Sequence, residues 1–114
     1  MVDTTQKDFL WVLGAFYLGN GKFDKALILF EALHGLFPDT PRILGSLGYA
    51  ALMCGREEQA LKAGEAFLET APVEWQPQAH LLMGKILWRR GDKEKARTHL
   101  GIYLKTKDKH NGKR

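Results

Sequence analysis

Gly21-Lys22-Phe23-Asp24-Lys25-Ala26 returns in outline as Gly55-Arg56-Glu57-Glu58-Gln59-Ala60 and again as Gly91-Asp92-Lys93-Glu94-Lys95-Ala96. Each copy opens on a turn glycine, and each is flanked on both sides by an apolar helical pattern. The alanines Ala26, Ala60 and Ala96 stand 34 and 36 residues apart. A period near 34 marks stacked helix–turn–helix units, each burying its apolar face on the next.

The register holds on both sides of the turns. The first unit, from Lys7, places Leu10, Leu13-Gly14 and Tyr17 before its turn, then Phe23, Ala26, Phe30, Leu33 and Pro38. The second, from Pro41, gives Leu44, Leu47-Gly48, Ala51, Gly55, Ala60, Phe67 and Pro72. The third, from about Pro77, gives His80, Met83-Gly84, Leu87, Gly91, Ala96, Leu100 and Tyr103, with two extra residues in the connection at 73–76. Gly14, Gly48 and Gly84 let the first helix of a pair approach the second, and the three alanines do so from the other side. The turn glycines suit positive φ, and Pro38 and Pro72 stop the second helices.

This pattern predicts an all-α fold of three tetratricopeptide-like (TPR-like) helix–turn–helix repeats forming a short right-handed solenoid. Six helices are expected, over 5–19, 23–36, 40–54, 57–70, 77–90 and 93–106, with Asp39 or Thr40, and Asp92, as N-caps. A single domain of residues 1–107 is expected, with repeats at about 7–40, 41–74 and 77–110 and a basic polar tail at 108–114.

Composition agrees. The chain has 114 residues, 45% hydrophobic and 26% charged, which suits one folded domain. Its one cysteine, Cys54, allows no internal disulfide, so a reducing compartment is expected. The formal charge is +4, and Lys105–Arg114 carries all of it. The excess is therefore a terminal tail and not a basic face, which argues against nucleic-acid binding. The apolar run Phe9–Leu18 is short for a membrane span of about 20 residues and lacks signal-peptide flanks. No membrane insertion is expected, and burial on both sides of a helix is the expected reason for the run.

In such a solenoid the first helices of the pairs line a concave face. The register assigns Asp8, Trp11, Ala15, Leu18 and Gly19 to it from repeat one. Repeat two gives Arg42, Gly45, Tyr49, Leu52 and Met53, and repeat three gives Gln78, Leu81, Lys85, Trp88 and Arg89. Trp11 and Trp88 are expected as aromatic anchors at opposite ends with Tyr49 between them, and Ala15 and Gly45 as hollows. Such a surface accepts an apolar helix or extended segment. The lysine, asparagine and arginine that grip a C-terminal carboxylate in some TPR domains are not matched here.

No catalytic pattern appears. His34, His80, His99 and His110 have no partner at metal-ligand spacing, and His80 falls on a core position. Cys54 has no histidine near it in sequence and reads as an inert, buried or half-buried thiol. Glu57 and Glu58 open a helix, where carboxylates favour the positive dipole end. The glycines follow helices and not strands, so they form no phosphate loop. A protein that is not an enzyme, without cofactor or metal, is expected.

Lys7-Asp8-Phe9-Leu10, the block Ala26-Leu27-Ile28-Leu29-Phe30-Glu31-Ala32-Leu33 leading to Phe37-Pro38, Gly91-Asp92-Lys93-Glu94-Lys95-Ala96-Arg97 and the ending from Tyr103 to Asn111 together resemble the YscY-type export chaperones of bacterial type III secretion. The resemblance spans nearly the whole chain, and the ending is its least TPR-like part. It implies a cytoplasmic chaperone, peripheral at the inner-membrane secretion apparatus. Its partners would be a small secreted protein of the YscX type and the inner-membrane export gate. Self-association is expected when the partner is absent, because the last repeat carries no polar capping helix. The needle-subunit co-chaperones (YscG-type) and a generic TPR scaffold are the neighbouring readings. The translocator chaperones (SycD-type) are usually longer.

Overall fold

The computed structural model describes the backbone of residues 3–111 and the side chains of residues 3–107; the side chains of the expected tail, 108–114, lie outside the described residues. Six α-helices follow in order: α1 (Thr4–Gly19), α2 (Phe23–Leu36), α3 (Pro41–Met53), α4 (Glu57–Thr70), α5 (Gln76–Arg89) and α6 (Lys93–Asn111). They pair as α1–α2, α3–α4 and α5–α6, and each pair packs on the next through α2–α3 and α4–α5. The fold is the expected all-helical TPR-like solenoid.

The three turns have one chemistry. The amides of Lys22, Arg56 and Asp92 donate to the carbonyls of Tyr17, Ala51 and Leu87 at 2.9, 2.8 and 2.9 Å. One residue earlier, the amides of Gly21, Gly55 and Gly91 donate to Leu18, Leu52 and Trp88. This is the Schellman helix ending, which needs a left-handed residue at the glycine. Those glycines have φ of 73°, 76° and 89°. The next helix begins at once, because Ala26, Ala60 and Ala96 donate to the carbonyls of Lys22, Arg56 and Asp92.

The alanines of the repeat are fully buried, each at 0% exposure. The repeat glycines on the first helices meet larger side chains. A Cβ on Gly14 would stand 2.5 Å from Cζ of Phe30, and one on Gly84 would stand 2.6 Å from Leu100. The glycines thus set how closely the helices of a pair approach. Phe30, Leu33, Ile43 and Ile86 form the centre of the core, each contributing about 1.5–3 kcal/mol on burial.

Four local features depart from the sequence expectation. Asp3 caps α1 in a reciprocal box: it accepts from the amide of Gln6, whose side chain accepts from the amide of Asp3. Thr40 precedes α3 without a side-chain bond, and Pro41 takes the first helical position, where its missing N–H costs nothing. The two extra residues of the third repeat form a short 3-10 turn, Val73–Trp75. Asp92 does meet the amide of Lys95, at 3.4 Å. The last helix runs on to Asn111, past the expected end at 106.

The run Phe9–Leu18 corrects one expectation. It is not buried on both sides. Gly14 is the one buried residue of α1, while Phe9, Val12 and Phe16 are 65%, 58% and 62% exposed. The reason is positional: among the described residues α1 packs mainly on α2 and α3, which leaves its third side uncovered.

Candidate protein-binding groove

The face formed by α1, α3 and α5 carries two hollows that share a wall. The first, about 670 Å³, takes Leu18 from α1, Arg42, Gly45, Ser46 and Tyr49 from α3, and Gln78, Leu81 and Lys85 from α5. Phe67, Glu74, Trp75 and Leu82 complete it. The second, about 440 Å³, lies between Tyr49, Leu52 and Met53 of α3, Lys85, Trp88 and Arg89 of α5, and Leu100 of α6, over Gly84. Tyr49 and Lys85 belong to both, and the Lys85 ammonium lies 5.7 Å from the centre of the Tyr49 ring. This pair forms a rib between the hollows.

The glycines shape the floor. Gly45 leaves the edge of the Phe67 ring bare to the first hollow, since a Cβ there would stand 2.9 Å from that ring. The small residues that set helix packing thus also open the groove.

The residues expected on the concave face are placed as follows. Leu18, Arg42, Gly45, Gln78 and Leu81 line the first hollow, Leu52, Met53, Trp88 and Arg89 the second, and Tyr49 and Lys85 both. Leu52 is 2% exposed and serves as floor, whereas Trp88 is 47% exposed and stands open. Trp11 and Ala15 are half-buried and line neither hollow. The Trp11 indole N–H donates to Oγ of Ser46 at 3.1 Å, and the Arg42 guanidinium lies 4.3 Å from its ring centre. Arg42 in turn pairs with Asp8 at 3.2 Å. Trp11 therefore ties α1 to α3. Sequence reasoning missed Ser46, Phe67, Glu74, Trp75, Leu82, Gly84 and Leu100. Trp75 and Glu74 were hidden because the inserted turn lies outside the repeat register.

Cys54 is partly exposed; burial, and then the bond from its Sγ to Asp24 Oδ1 at 3.4 Å, push the thiol above its ordinary value. A raised thiol is a poor nucleophile. Among the described residues no three or more His, Cys, Asp or Glu side chains stand together to hold a metal. His80 and His99 meet Nδ1 to Nδ1 at 2.9 Å across α5 and α6, a pairing that the 19-residue separation conceals in the sequence.

Comparison with known proteins follows from this geometry. A tetratricopeptide repeat profile matches residues 9–74, and a second matches 77–101. The chain belongs to the tetratricopeptide repeat family. Among solved structures it superposes on SycD, the type III secretion translocator chaperone of Yersinia enterocolitica, with a TM-score of 0.81 and 20% identity over 92% of this chain and 78% of SycD. MamA of Desulfovibrio magneticus RS-1 gives 0.78 at 20% identity over 90% of this chain and 57% of that one. MamA of strain AMB-1 gives 0.77 at 23%, over 89% and 59%. At such identities the likeness is one of fold. A comparison with curated protein sequences finds no match.

Proposed function

We propose that this chain is a non-catalytic type III secretion chaperone of the YscY type. Its three repeats act as one domain, residues 1–107. It holds a small secreted partner of the YscX type in the two-hollow groove and presents it to the inner-membrane export gate from the bacterial cytoplasm. The observation that carries this reading is the groove: two adjoining apolar hollows flanked by exposed Trp75 and Trp88. Aromatic surface of this kind is a common anchor for a partner segment. The likeness of the fold to SycD and the sequence resemblance given above support the choice of chaperone class. No helix among the described residues is long and apolar enough to cross a membrane, which fits a peripheral role at the gate.

Co-expression with the small open reading frames beside its gene, followed by affinity capture and size-exclusion chromatography, tests the reading. A short partner that co-elutes, and is lost with Trp88→Ala, is the expected result. Capture of a needle-type subunit in its place would shift the protein to the YscG type. A freely soluble chain that captures none of these products would overturn the chaperone reading.

A further inference from the structure

Lys85 and Arg89 line the second hollow, and two further cations stand by its Trp88 wall. Lys93 Nζ lies 5.3 Å and the Arg97 guanidinium 5.8 Å from the Trp88 ring centre. Arg89 donates to the carbonyl of Leu52 at 3.3 Å, and Lys85 lies over Tyr49. The ion pairs among the described residues are Arg42–Asp8, Arg90–Glu58 and Lys95–Asp92, and none uses these four groups. Glu74 is the one carboxylate lining either hollow, and it lines the first.

We infer that the groove takes a partner segment in which aspartate or glutamate flanks an apolar side chain: the apolar group fills the hollow between Leu52, Trp88 and Leu100, and the carboxylates meet Lys85, Arg89 and Arg97. This rests on the groove being the binding face. Its carrying observation is charge complementarity. A cation over an aromatic ring keeps its charge and its outer N–H donors, so it can still meet a carboxylate. A lysine-rich segment is repelled here by the like charge of these groups. The apolar walls favour a peptide over a nucleic-acid strand, since no ladder of exposed aromatic faces tracks a backbone.

A display library of random peptides of about 15 residues, four helical turns, panned against the full chain, tests this. Selected peptides that lose binding to Trp88→Ala are expected to carry Asp or Glu beside Leu, Ile or Phe. The Glu form of the consensus should bind about tenfold tighter than its Gln form in dilute salt, the factor that a few exposed ion pairs supply together. That difference should shrink at high salt. Arg97→Glu, and Arg89→Glu with Arg97→Glu, should move selection toward Lys and Arg. Trp88-dependent peptides without acidic enrichment would overturn the inference and leave the groove reading standing. Absence of any Trp88-dependent peptide would overturn both. Tighter binding to a dodecamer of uridine than to the best peptide would replace the peptide with nucleic acid.

Discussion

His80 and His99 face each other across α5 and α6 with Nδ1 atoms 2.9 Å apart and ring centres 5.1 Å apart. At that distance one nitrogen donates its proton and the other accepts it. The pair can hold one shared proton between the rings comfortably and two only with repulsion. Burial holds both below their ordinary value of 6.5, and the charge of His99 adds to the effect at His80. No carboxylate contributes to either shift.

The sign of the pH dependence follows. With native pKa values depressed, the unfolded chain binds more protons as soon as the pH falls below 6.5. Stability from this pair is complete above that value and is lost on acidification until the native rings also protonate. The urea midpoint should be level between about pH 8 and 7 and should drop toward about pH 5.5, before most carboxylates titrate. His99→Gln should flatten that drop. An equal slope in the variant would remove the pair as its cause.

Two glycines should respond in opposite directions to alanine. Gly14 faces Phe30, whose ring is fully buried, so an added Cβ must displace it within the core. Gly14→Ala is expected to cost about 1–3 kcal/mol in denaturant melts, as overpacking does. Gly101, inside α6, has nothing within 4 Å of its missing Cβ. Gly101→Ala should stabilise by about 0.5–1 kcal/mol through helix propensity. Equal effects would mean that the close approach of α1 and α2 is not set by Gly14.

The fold was readable because one unit is written three times. Gly21, Gly55 and Gly91 mark the turns, and Ala26, Ala60 and Ala96 mark the contacts, so helix ends fell within a residue or two except at Asn111. The site was readable only in part. Register assigns residues to a face, but it cannot tell that Trp11 is tied up by Ser46 and Arg42 while Trp88 stands open. It is also silent on Trp75 and Glu74, in the inserted turn, and on Leu100, which enters from the far helix. Pairings such as His80 with His99 depend on side-chain direction across two helices, which a 34-residue period does not encode.

The uncovered side of α1 should govern behaviour in solution. Phe9, Val12 and Phe16 lie one turn apart on one stripe, each more than half exposed. The chain alone should self-associate with rising concentration in light scattering. Phe9→Lys with Phe16→Lys should reduce this while shifting stability by no more than about 0.5 kcal/mol, as for surface changes. Unaltered association would move its origin to the other end, where Leu104 is 56% exposed.

Binding and stability should separate between Trp88 and Ala60. Trp88 lines the second hollow with nearly half its surface open, so Trp88→Ala removes little from the core. It should weaken partner binding by about 2 kcal/mol or more if it is an anchor, with the melting temperature almost unchanged. Ala60 is at 0% exposure inside the α3–α4 contact, and the amide of the same residue begins the helical ladder after Gly55. Ala60→Leu forces extra carbons into that contact at about 1–3 kcal/mol, and its effect on binding should equal the loss of folded protein alone. Tyr49 stands between the two: it forms the rib of the groove yet packs on the core, so Tyr49→Ala should lower both affinity and stability. Calorimetric melts and titrations with the captured partner measure both quantities for each variant. The reading fails if Trp88→Ala unfolds the protein while Ala60→Leu leaves it stable and binding-deficient, because the buried and binding faces would then be exchanged.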